Sequence, residues 1–356
     1  GKLVLDGCSF KGTQWDCIQV TPMPGSEIVI NNCRFEAESA AQRFIHIQAA
    51  DNSNADVKIT LTNNFFGSTE NLSNSMIDLD YINLDGIDFG GNNVYTDDDK
   101  EIYVCGASIS ATISSAEAFK RLGSKLVSAG DQPALNDAIA NAGTAPTTVK
   151  LEKAGTYTLP RLENKDITVV GTKDTVIDLK GVTNKASSAS FEGVTVEFGS
   201  SDYKGFQHTG KLTYKDCTIT GKQFLYANEV EFINCKFVQD VVDYNVWTYG
   251  AGTVLFKDCE FNCKGKAVLI YNEGALEAQT VNFKNCKFNA STPVDDKAAI
   301  EIDSRFTSYN VIIDKATADN VSGFGSNTKS GSSVWNVKAQ VKTTTVVVDG
   351  TTVYSK

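Results

Sequence analysis

The chain has 356 residues, a hydrophobic fraction of 41% and a formal net charge of −10. Its Lys and Arg residues are scattered without a basic stripe, which argues against nucleic acid, and against any polyanion bound without a bridging cation. No stretch approaches the roughly 18 apolar residues of a membrane span, and no signal peptide is recognisable. The length allows either two domains or one large solenoid.

An eight-residue register recurs ten times along the chain: apolar, any, apolar, any, then Gly, Asn or Asp, then usually Cys, any, and an aromatic or aliphatic residue. The clearest copies are residues 28–35 (IVINNCRF), 230–237 (VEFINCKF), 254–261 (VLFKDCEF) and 281–288 (VNFKNCKF). Weaker copies begin at Leu3, Ile59, Ile82, Ala189, Leu212 and Val311. Within each half the copies start about 18 to 31 residues apart, a spacing typical of solenoids.

Each copy is interpreted as two short strands joined at a bend. In residues 230–237, Val230 and Phe232 point inward on one strand, and Cys235 and Phe237 point inward on the next. The fifth position is the bend, and only Lys315 departs there from residue types that tolerate positive φ. A third alternating run precedes the copies, as in residues 44–47 and 300–303. The register therefore predicts a three-sided parallel β-helix with Phe columns stacked about 4.8 Å apart.

The sixth position forms a column of mostly cysteines. Asn64, Ile87, Val194 and Ala316 also occupy it, so the column is interpreted as small buried residues. No Cys and His spacing completes a zinc set, and no metal ligands are predicted. The cysteines outside the column are the predicted reactive thiols, and their redox state is left open. They are Cys17, Cys105 and Cys263.

Between the copies that start at Ile82 and Ala189 the pattern changes to two predicted helices. The first begins at a capping box at Ser114 and ends by Gly130. The second has Asp131 as N-cap, Pro133 in its first turn and Gly143 as its stop. Two apolar runs follow, TVKLEKAGTYTL at residues 148–159 and DITVVG at residues 166–171.

This order of short helix, two such runs and irregular coils resembles the entry segment of right-handed parallel β-helix proteins of the pectate-lyase-like superfamily, over about residues 132–318. The resemblance implies an all-β, right-handed parallel β-helix with a helix that plugs its N-terminal end. It leaves activity open, because this superfamily includes lyases, hydrolases, esterases, phage tailspikes and non-catalytic adhesins. We therefore predict terminal coils of a first β-helix (1–105), a short helical linker (106–130) and a second β-helix (131–356). An Asp-Gly hairpin at the C-terminus is expected to cap the second β-helix.

Two clusters are candidate catalytic sites. Glu301, Asp303 and Arg305 share one strand, and the two carboxylates have a plausible spacing for a glycosidase pair. By resemblance, lyases of the superfamily hold calcium with clustered Asp and use Arg or Lys as base, so calcium is admitted as a cofactor although none is required. The alternative is a solvated strand face with one ion pair.

The second cluster lies in the N-terminal half. Gln19, His46 and Asp78 are expected to align across three successive coils, with Asp80 beside them. His46 next to Asp78 could act as a general base. The alternative is a polar ladder without catalytic function.

Trp247 and Tyr249 are the candidate carbohydrate-stacking residues. The sequence favours a non-catalytic, secreted or cell-surface β-helix that is glycan-binding, adhesin-like or structural, and it leaves enzymatic activity undecided. One alternative is a polysaccharide lyase or glycoside hydrolase acting on an acidic or neutral polysaccharide, and another is a phage tailspike or fibre component. The expected partners are a polysaccharide or cell-surface glycan, and an oligomer or a preceding domain at the open N-terminal coil.

Overall fold

The computed structural model describes every residue except 12–14, 38–40, 51–55, 68–70, 83–86, 91, 96–101, 106–109, 114–122, 143–145, 181–182, 200–204, 240–242, 265, 273, 275, 291–297 and 320–333. Its described residues form two compact units. The first unit is Gly1–Val127 with Ala142–Thr148, and the second is Ser128–Asn141 with Val149–Lys356. None of the described helices is long and apolar enough to cross a membrane.

The strands before the helix are short, and most of them follow the predicted register. They are β1 (Lys2–Asp6), β2 (Ser9–Lys11), β3 (Asp16–Val20), β4 (Glu27–Asn31), β5 (Arg34–Glu36), β6 (Arg43–Gln48), β7 (Lys58–Thr62), β8 (Phe65–Phe66), β9 (Ile77–Asp80), β10 (Ile87–Gly90), β11 (Asn92–Tyr95), β12 (Ile102–Cys105), β13 (Ser110–Ile113) and β14 (Gly123–Ala129).

The helix α1 (Gln132–Asn141) begins the second part of the chain. The strands after it are β15 (Thr147–Leu151), β16 (Gly155–Thr158), β17 (Asp166–Val170), β18 (Thr175–Asp178), β19 (Thr183–Asn184), β20 (Ser188–Glu192), β21 (Thr195–Glu197), β22 (Gly205–Phe206), β23 (Thr209–Lys215), β24 (Thr218–Thr220), β25 (Gln223–Phe224), β26 (Ala227–Ile233), β27 (Lys236–Val238), β28 (Val246–Trp247), β29 (Thr253–Lys257), β30 (Glu260–Cys263), β31 (Val268–Tyr271), β32 (Ala278–Lys284), β33 (Lys287–Ala290), β34 (Ile300–Ser304), β35 (Ser308–Asp314), β36 (Thr317–Asp319), β37 (Trp335–Gln340), β38 (Thr344–Val348) and β39 (Thr351–Ser355).

Strand order confirms a parallel β-helix in the first unit. One sheet runs β1-β4-β7-β10, the next contains β2-β5-β8-β11, and the third runs β3-β6-β9-β12-β13. Every third strand is therefore a neighbour, which is what a chain winding through three faces per coil produces. The pair β12 and β13 is antiparallel and ends the third face.

The second unit repeats the same winding. Its faces contain β17-β20-β23-β26-β29-β32-β35-β38, β16-β18-β21-β24-β27-β30-β33-β36 and β25-β28-β31-β34-β37, with the short pair β19 and β22 beside them. The register of neighbours is in phase, because Val230 pairs with Val254 and Val254 with Val281. Identical positions of successive copies thus stack directly on one another.

The bends adopt the backbone conformation that the register predicts. Positive φ is found at the described fifth positions from Gly7 (66°) to Lys315 (53°). Phe256 stacks on Phe232 and Phe283 with ring centroids 5.0 and 4.9 Å away, and all three are fully buried. The predicted interior Phe column is therefore confirmed.

The copy predicted to begin at Ile82 is wrong by five residues. Ile87 pairs with Ile59, so the copy begins at Ile87 and its sixth position is Asn92, whose Oδ1 accepts from the Asn64 N–H at 2.8 Å. Ile87 is therefore not a sixth-position residue. In the sequence, Gly86 and Gly91 both suit the fifth position of the register, so two starting points fit the pattern. Only strand pairing with the preceding coil distinguishes them.

The first predicted helix is wrong where the structure describes it. Gly123–Ala129 is the strand β14, which pairs in parallel with β11 through Asn92 with Gly123 and Tyr95 with Leu126. The extended backbone gains ladder hydrogen bonds from its neighbour, and this tertiary gain overrides a local helical pattern. The remainder of that prediction, residues 114–122, lies outside the described residues.

The second predicted helix and the terminal hairpin are both present. The Asp131 carboxylate accepts from the Ala134 N–H at 2.9 Å, so Asp131 is the N-cap of α1. β38 and β39 are antiparallel, and Asp349 and Gly350 between them both have positive φ (47° and 78°). This is the turn type that Asp-Gly favours in a two-residue hairpin.

The column cysteines are free thiols, and all except the partly buried Cys8 are packed in the interior; Cys33, Cys217, Cys235, Cys259 and Cys286 are at most 2% exposed. The prediction that Cys263 is reactive is wrong, because it is buried and stacks on Ala290. For Cys17, burial and the adjacent Asp16 carboxylate raise the thiol pKa to about 11, so its thiolate is scarce at neutral pH. The side chain of Cys105 lies outside the described residues.

Candidate functional site

The predicted alignment in the first unit is present. Gln19 pairs with His46, His46 pairs with Asp78, and Gln48 pairs with Asp80 on β3, β6 and β9. The neighbouring positions Ile18, Ile45 and Ile77 form the core layer of the same face. Alternation therefore directs His46 and Asp78 away from the core, yet they are only 7% and 4% exposed.

His46 lies between two carboxylates. Its Nδ1 is 3.2 Å from Asp16 Oδ2, and its Nε2 is 3.2 Å from Asp80 Oδ2. Arg43 completes the group, with Nη1 donating to both Asp16 oxygens at 3.1 Å. Its Nε lies 2.8 Å from Asp78 Oδ2 as an ion pair. We call Asp16, Arg43, His46, Asp78 and Asp80 the His46 cluster.

Asp78 is a buried acid of the His46 cluster. Burial, reinforced by the Asp80 carboxylate and opposed by Arg43, raises its pKa to about 6. Its Oδ1 is buried and has no hydrogen-bond partner in the described part of the chain. The sequence named His46, Asp78 and Asp80 from their register but missed Asp16 and Arg43, which reach the cluster from the start of β3 and β6.

In the second unit, Glu301 and Asp303 are brought to one face but are buried. They pair with Leu269 and Tyr271 of β31, while Ile302 pairs with Ile270 in the core. At 1% and 2% exposure, the two carboxylates are not the solvated strand face that was the alternative.

Both carboxylates already have strong partners. Arg305 binds Asp303 in a bidentate pair, with Nε–Oδ1 and Nη2–Oδ2 distances of 2.8 Å, and this bond raises the Arg305 pKa. The Tyr244 hydroxyl donates to Glu301. Burial, reinforced by the Glu301 charge, raises the Tyr244 pKa and keeps this donor protonated. Calcium requires several free oxygen ligands, so Glu301 and Asp303 as placed do not form a calcium set.

Aromatic rings run across the same face from coil to coil. The Phe224 and Trp247 rings stack at 5.0 Å, Trp247 meets Tyr271 edge-on at 5.9 Å, and Tyr271 meets Phe306 at 6.2 Å. On the other side, Tyr249 lies 5.8 Å from Phe224 and 6.2 Å from Tyr226. We call these six rings, Tyr226, Tyr249, Phe224, Trp247, Tyr271 and Phe306, the aromatic band.

Three cations lie over the aromatic band or its edge. Lys222 Nζ is 4.8 Å from the Trp247 ring, Lys266 Nζ is 4.5 Å from the Tyr244 ring, and the Arg305 guanidinium is 5.6 Å from the Tyr271 ring. Asp243 contacts Lys222 at 2.9 Å. Cations over ring faces attract the π-electrons and fix the rings in place.

Sequence reasoning found two members of the aromatic band, Trp247 and Tyr249, and missed the others. Phe306 is 48% exposed and could have been found only by placing it one coil beyond Tyr271. The lysines were missed because they reach this face from positions outside its strands.

Comparisons with known proteins add little beyond the fold. No family model and no curated protein matches the chain. Among solved structures the chain is similar to the PL6 family alginate lyase AlyGC, at 13% identity and a TM-score of 0.36, covering 98% of this chain and 68% of that one. The chain is also similar to a variant of that enzyme with an arginine replaced by alanine, at 11% identity and a TM-score of 0.33, covering 98% of this chain and 70% of that one. Values this low carry no argument about activity, and the β-helix assignment rests on strand pairing.

Proposed function

We propose that the protein is a non-catalytic, secreted or cell-surface β-helix that binds a glycan along the aromatic band of its second unit. The observation that carries the proposal is the aromatic band, in which every ring except the buried Phe224 is partly or fully exposed, with polar and charged groups beside it. Sugar rings present C–H faces to aromatic rings and hydroxyls to polar groups, and a binding site with both is suited to them. The pectate-lyase-like resemblance supports the same class of ligand.

Charge balance around the aromatic band favours a neutral glycan. Lys222, Lys266 and Arg305 carry three positive charges, while Asp243, Glu301 and Asp303 carry three negative charges when ionised. A balanced set offers donors and acceptors to hydroxyl groups without attracting a polyanion. The net charge of −10 also repels acidic polysaccharides at a distance.

Binding to a polysaccharide panel tests this proposal. We expect retardation in affinity electrophoresis with at least one neutral polysaccharide, and weaker or no retardation with uronic-acid polymers. Phe306→Ala should weaken binding about 2- to 12-fold, since an aromatic contact contributes about 0.5–1.5 kcal/mol. Trp15→Ala is the matched control, because Trp15 is 66% exposed but lies in the first unit.

Two outcomes would contradict the proposal. One is an absence of binding to every member of the panel. The other is equal weakening by Phe306→Ala and Trp15→Ala, which would indicate non-specific adhesion through exposed rings.

A polysaccharide lyase or glycoside hydrolase remains the second candidate, supported by Glu301, Asp303, Tyr244 and Arg305 on one face. The weakness of this candidate is that a substrate has little access to the two carboxylates, because Glu301 is 1% exposed and both oxygens of Asp303 are bound by Arg305. Incubation with the same panel, with and without calcium, should give neither ultraviolet-absorbing unsaturated products nor new reducing ends. Product that is lost in Glu301→Gln would replace the non-catalytic proposal with the enzymatic one.

A further inference from the structure

The His46 cluster has the geometry of a small metal site. His46, Asp78 and Asp80 each offer one ligand atom, and these three atoms all lie within 4.8 Å of one another. The Nε2 of His46 and Oδ2 of Asp80 are 3.2 Å apart. Two ligands at about 2.0–2.1 Å from a tetrahedral zinc ion are separated by about 3.3 Å. The spacing of this pair therefore already matches a shared cation.

The Asp16 carboxylate orients His46 for such a role. Nδ1 of His46 faces Asp16 Oδ2 at 3.2 Å and Arg43 Nη1 at 3.4 Å. Because Arg43 Nη1 is already directed at both Asp16 oxygens at 3.1 Å, the imidazole hydrogen belongs on Nδ1, where Asp16 accepts it. Nε2 then presents a lone pair to Asp80. A carboxylate behind a histidine is the usual support of a metal-binding imidazole.

Asp78 supplies an independent observation. It is 4% exposed, and its Oδ1 has no hydrogen-bond partner in the described part of the chain. A buried carboxylate oxygen left without a partner is costly, and such atoms need an explanation. Arg43 contacts the other oxygen, Oδ2, and leaves Oδ1 unpaired. A cation shared with His46 and Asp80 would satisfy it.

The net charge of the His46 cluster also favours binding of a divalent cation. With His46 neutral, three aspartates and Arg43 sum to −2 in a site that is largely removed from water. One divalent cation brings the sum to zero, whereas one proton on His46 leaves it at −1. Buried charge without compensation is unfavourable.

We propose that His46, Asp78 and Asp80 bind a divalent transition-metal ion of the zinc type, with Asp16 as the residue that positions His46. One imidazole and two carboxylates suit zinc, cobalt or manganese better than calcium, which prefers oxygen ligands alone. The sequence predicted no metal ligands, because the three residues are spread over two strands and their convergence depends on coil stacking. This proposal is independent of glycan binding in the second unit.

Cobalt titration of the chelator-treated full chain tests the proposal. We expect one Co²⁺ per chain by calorimetry, with visible absorption of nitrogen and oxygen ligation and without the intense near-ultraviolet band of cobalt thiolates. Zn²⁺ should displace the cobalt, and Ca²⁺ should not. His46→Gln and Asp80→Asn should each weaken binding more than about 100-fold, and Asp16→Asn about 10- to 100-fold.

His208→Gln is the matched control, since it replaces the other histidine of the chain, an exposed residue of the second unit. It should leave cobalt affinity unchanged. Circular dichroism of each metal-free variant establishes that it is folded, and the nearly isosteric Asp80→Asn keeps the test valid if His46→Gln unfolds. No binding, a thiolate band, or wild-type affinity in folded Asp80→Asn would each overturn the proposal.

Discussion

Residues at the sixth position of the register do more than fill space. The Cys33 thiol lies 3.2 Å from Asn31 O and 3.5 Å from Leu5 O, and the Cys235 thiol donates weakly to Tyr214 O at 3.2 Å. Where asparagine replaces cysteine, the Asn64 amide donates to Ile30 O at 2.9 Å. Leu5, Tyr214 and Ile30 all occupy the third position of the preceding coil. Where the column holds cysteine or asparagine it therefore also supplies donors, which are weak in the cysteine coils and strong in the asparagine coils.

Asn64 and Cys33 provide a matched pair for this distinction. Asn64 also accepts from the Cys33 N–H at 2.9 Å, so Asn64→Val leaves two buried backbone groups without this partner. We expect a loss of about 2–4 kcal/mol in the free energy of unfolding, against less than about 1.5 kcal/mol for Cys33→Val. Urea unfolding followed by circular dichroism measures both. Equal losses would mean that the column acts through packing alone.

How far the sequence predicts the His46 cluster depends on the kind of residue. His46 and Asp78 follow from period-2 alternation and coil stacking, so the sequence aligned them correctly. Arg43 and Asp16 could not be placed, because long or terminal side chains can turn toward several neighbours. Cys263 was misjudged for a related reason, since its position outside the column says nothing about whether a second column buries it.

At the scale of the element, each strand of the register ends at the bend. The Asn and Asp side chains at neighbouring bends also bond along the solenoid, as Asn234 does to Asp216 at 2.6 Å and Asn285 does to Asp258 at 2.8 Å. Lys315 adopts the same positive φ (53°) with a side chain poorly suited to it. The fold thus imposes the bend even where the local residue does not favour it.

Lys315→Asn should therefore stabilise the protein. Asparagine tolerates the left-handed conformation that costs lysine about 1–2 kcal/mol, and we expect a net gain of about 0.5–1 kcal/mol. The measurement is the shift of the thermal midpoint. Lys284→Asn is the control, because Lys284 is exposed within β32 and should gain nothing. A midpoint that rises equally in both variants would attribute the gain to lost positive charge.

Element type was predictable wherever pattern and pairing agree. The register gave the bends, the three faces and the terminal hairpin, because alternation and turn chemistry are local properties. β14 was predicted as helix because its sequence carries a helical pattern, while the partner strand β11 that holds it extended is about 30 residues away. The predicted start at Ile82 failed for the same physical reason, since register is set by the neighbouring coil.

At the scale of the whole molecule, adjacent coils stabilise one another through rings that stack from coil to coil. Phe256 and Phe283 stack at 4.9 Å, whereas Phe191 is connected to them only through Tyr214 and Phe232. In a solenoid the energetic terms are those of each repeat and its nearest neighbours. Distant coils should then respond independently to substitution.

Double-mutant cycles test this independence. Phe256→Leu combined with Phe283→Leu should deviate from additivity by about 0.5 kcal/mol or more, because the two leucines repack against each other. Phe191→Leu combined with Phe283→Leu should be additive within about 0.5 kcal/mol. Guanidinium unfolding of the single and double variants gives both coupling energies. Strong coupling in the distant pair would contradict a nearest-neighbour description.

The in-phase stacking of coils also sets how such a protein can grow over evolutionary time. A duplicated coil would offer its neighbours the same bend, the same interior ring and the same backbone edge that they already meet. Each added coil would also advance the outer face by one strand spacing of about 4.8 Å, and with it the row of rings. The length of the ligand that the row can accommodate would therefore change in whole steps, by duplication or loss of coils, while the interior of every existing coil stays as it is.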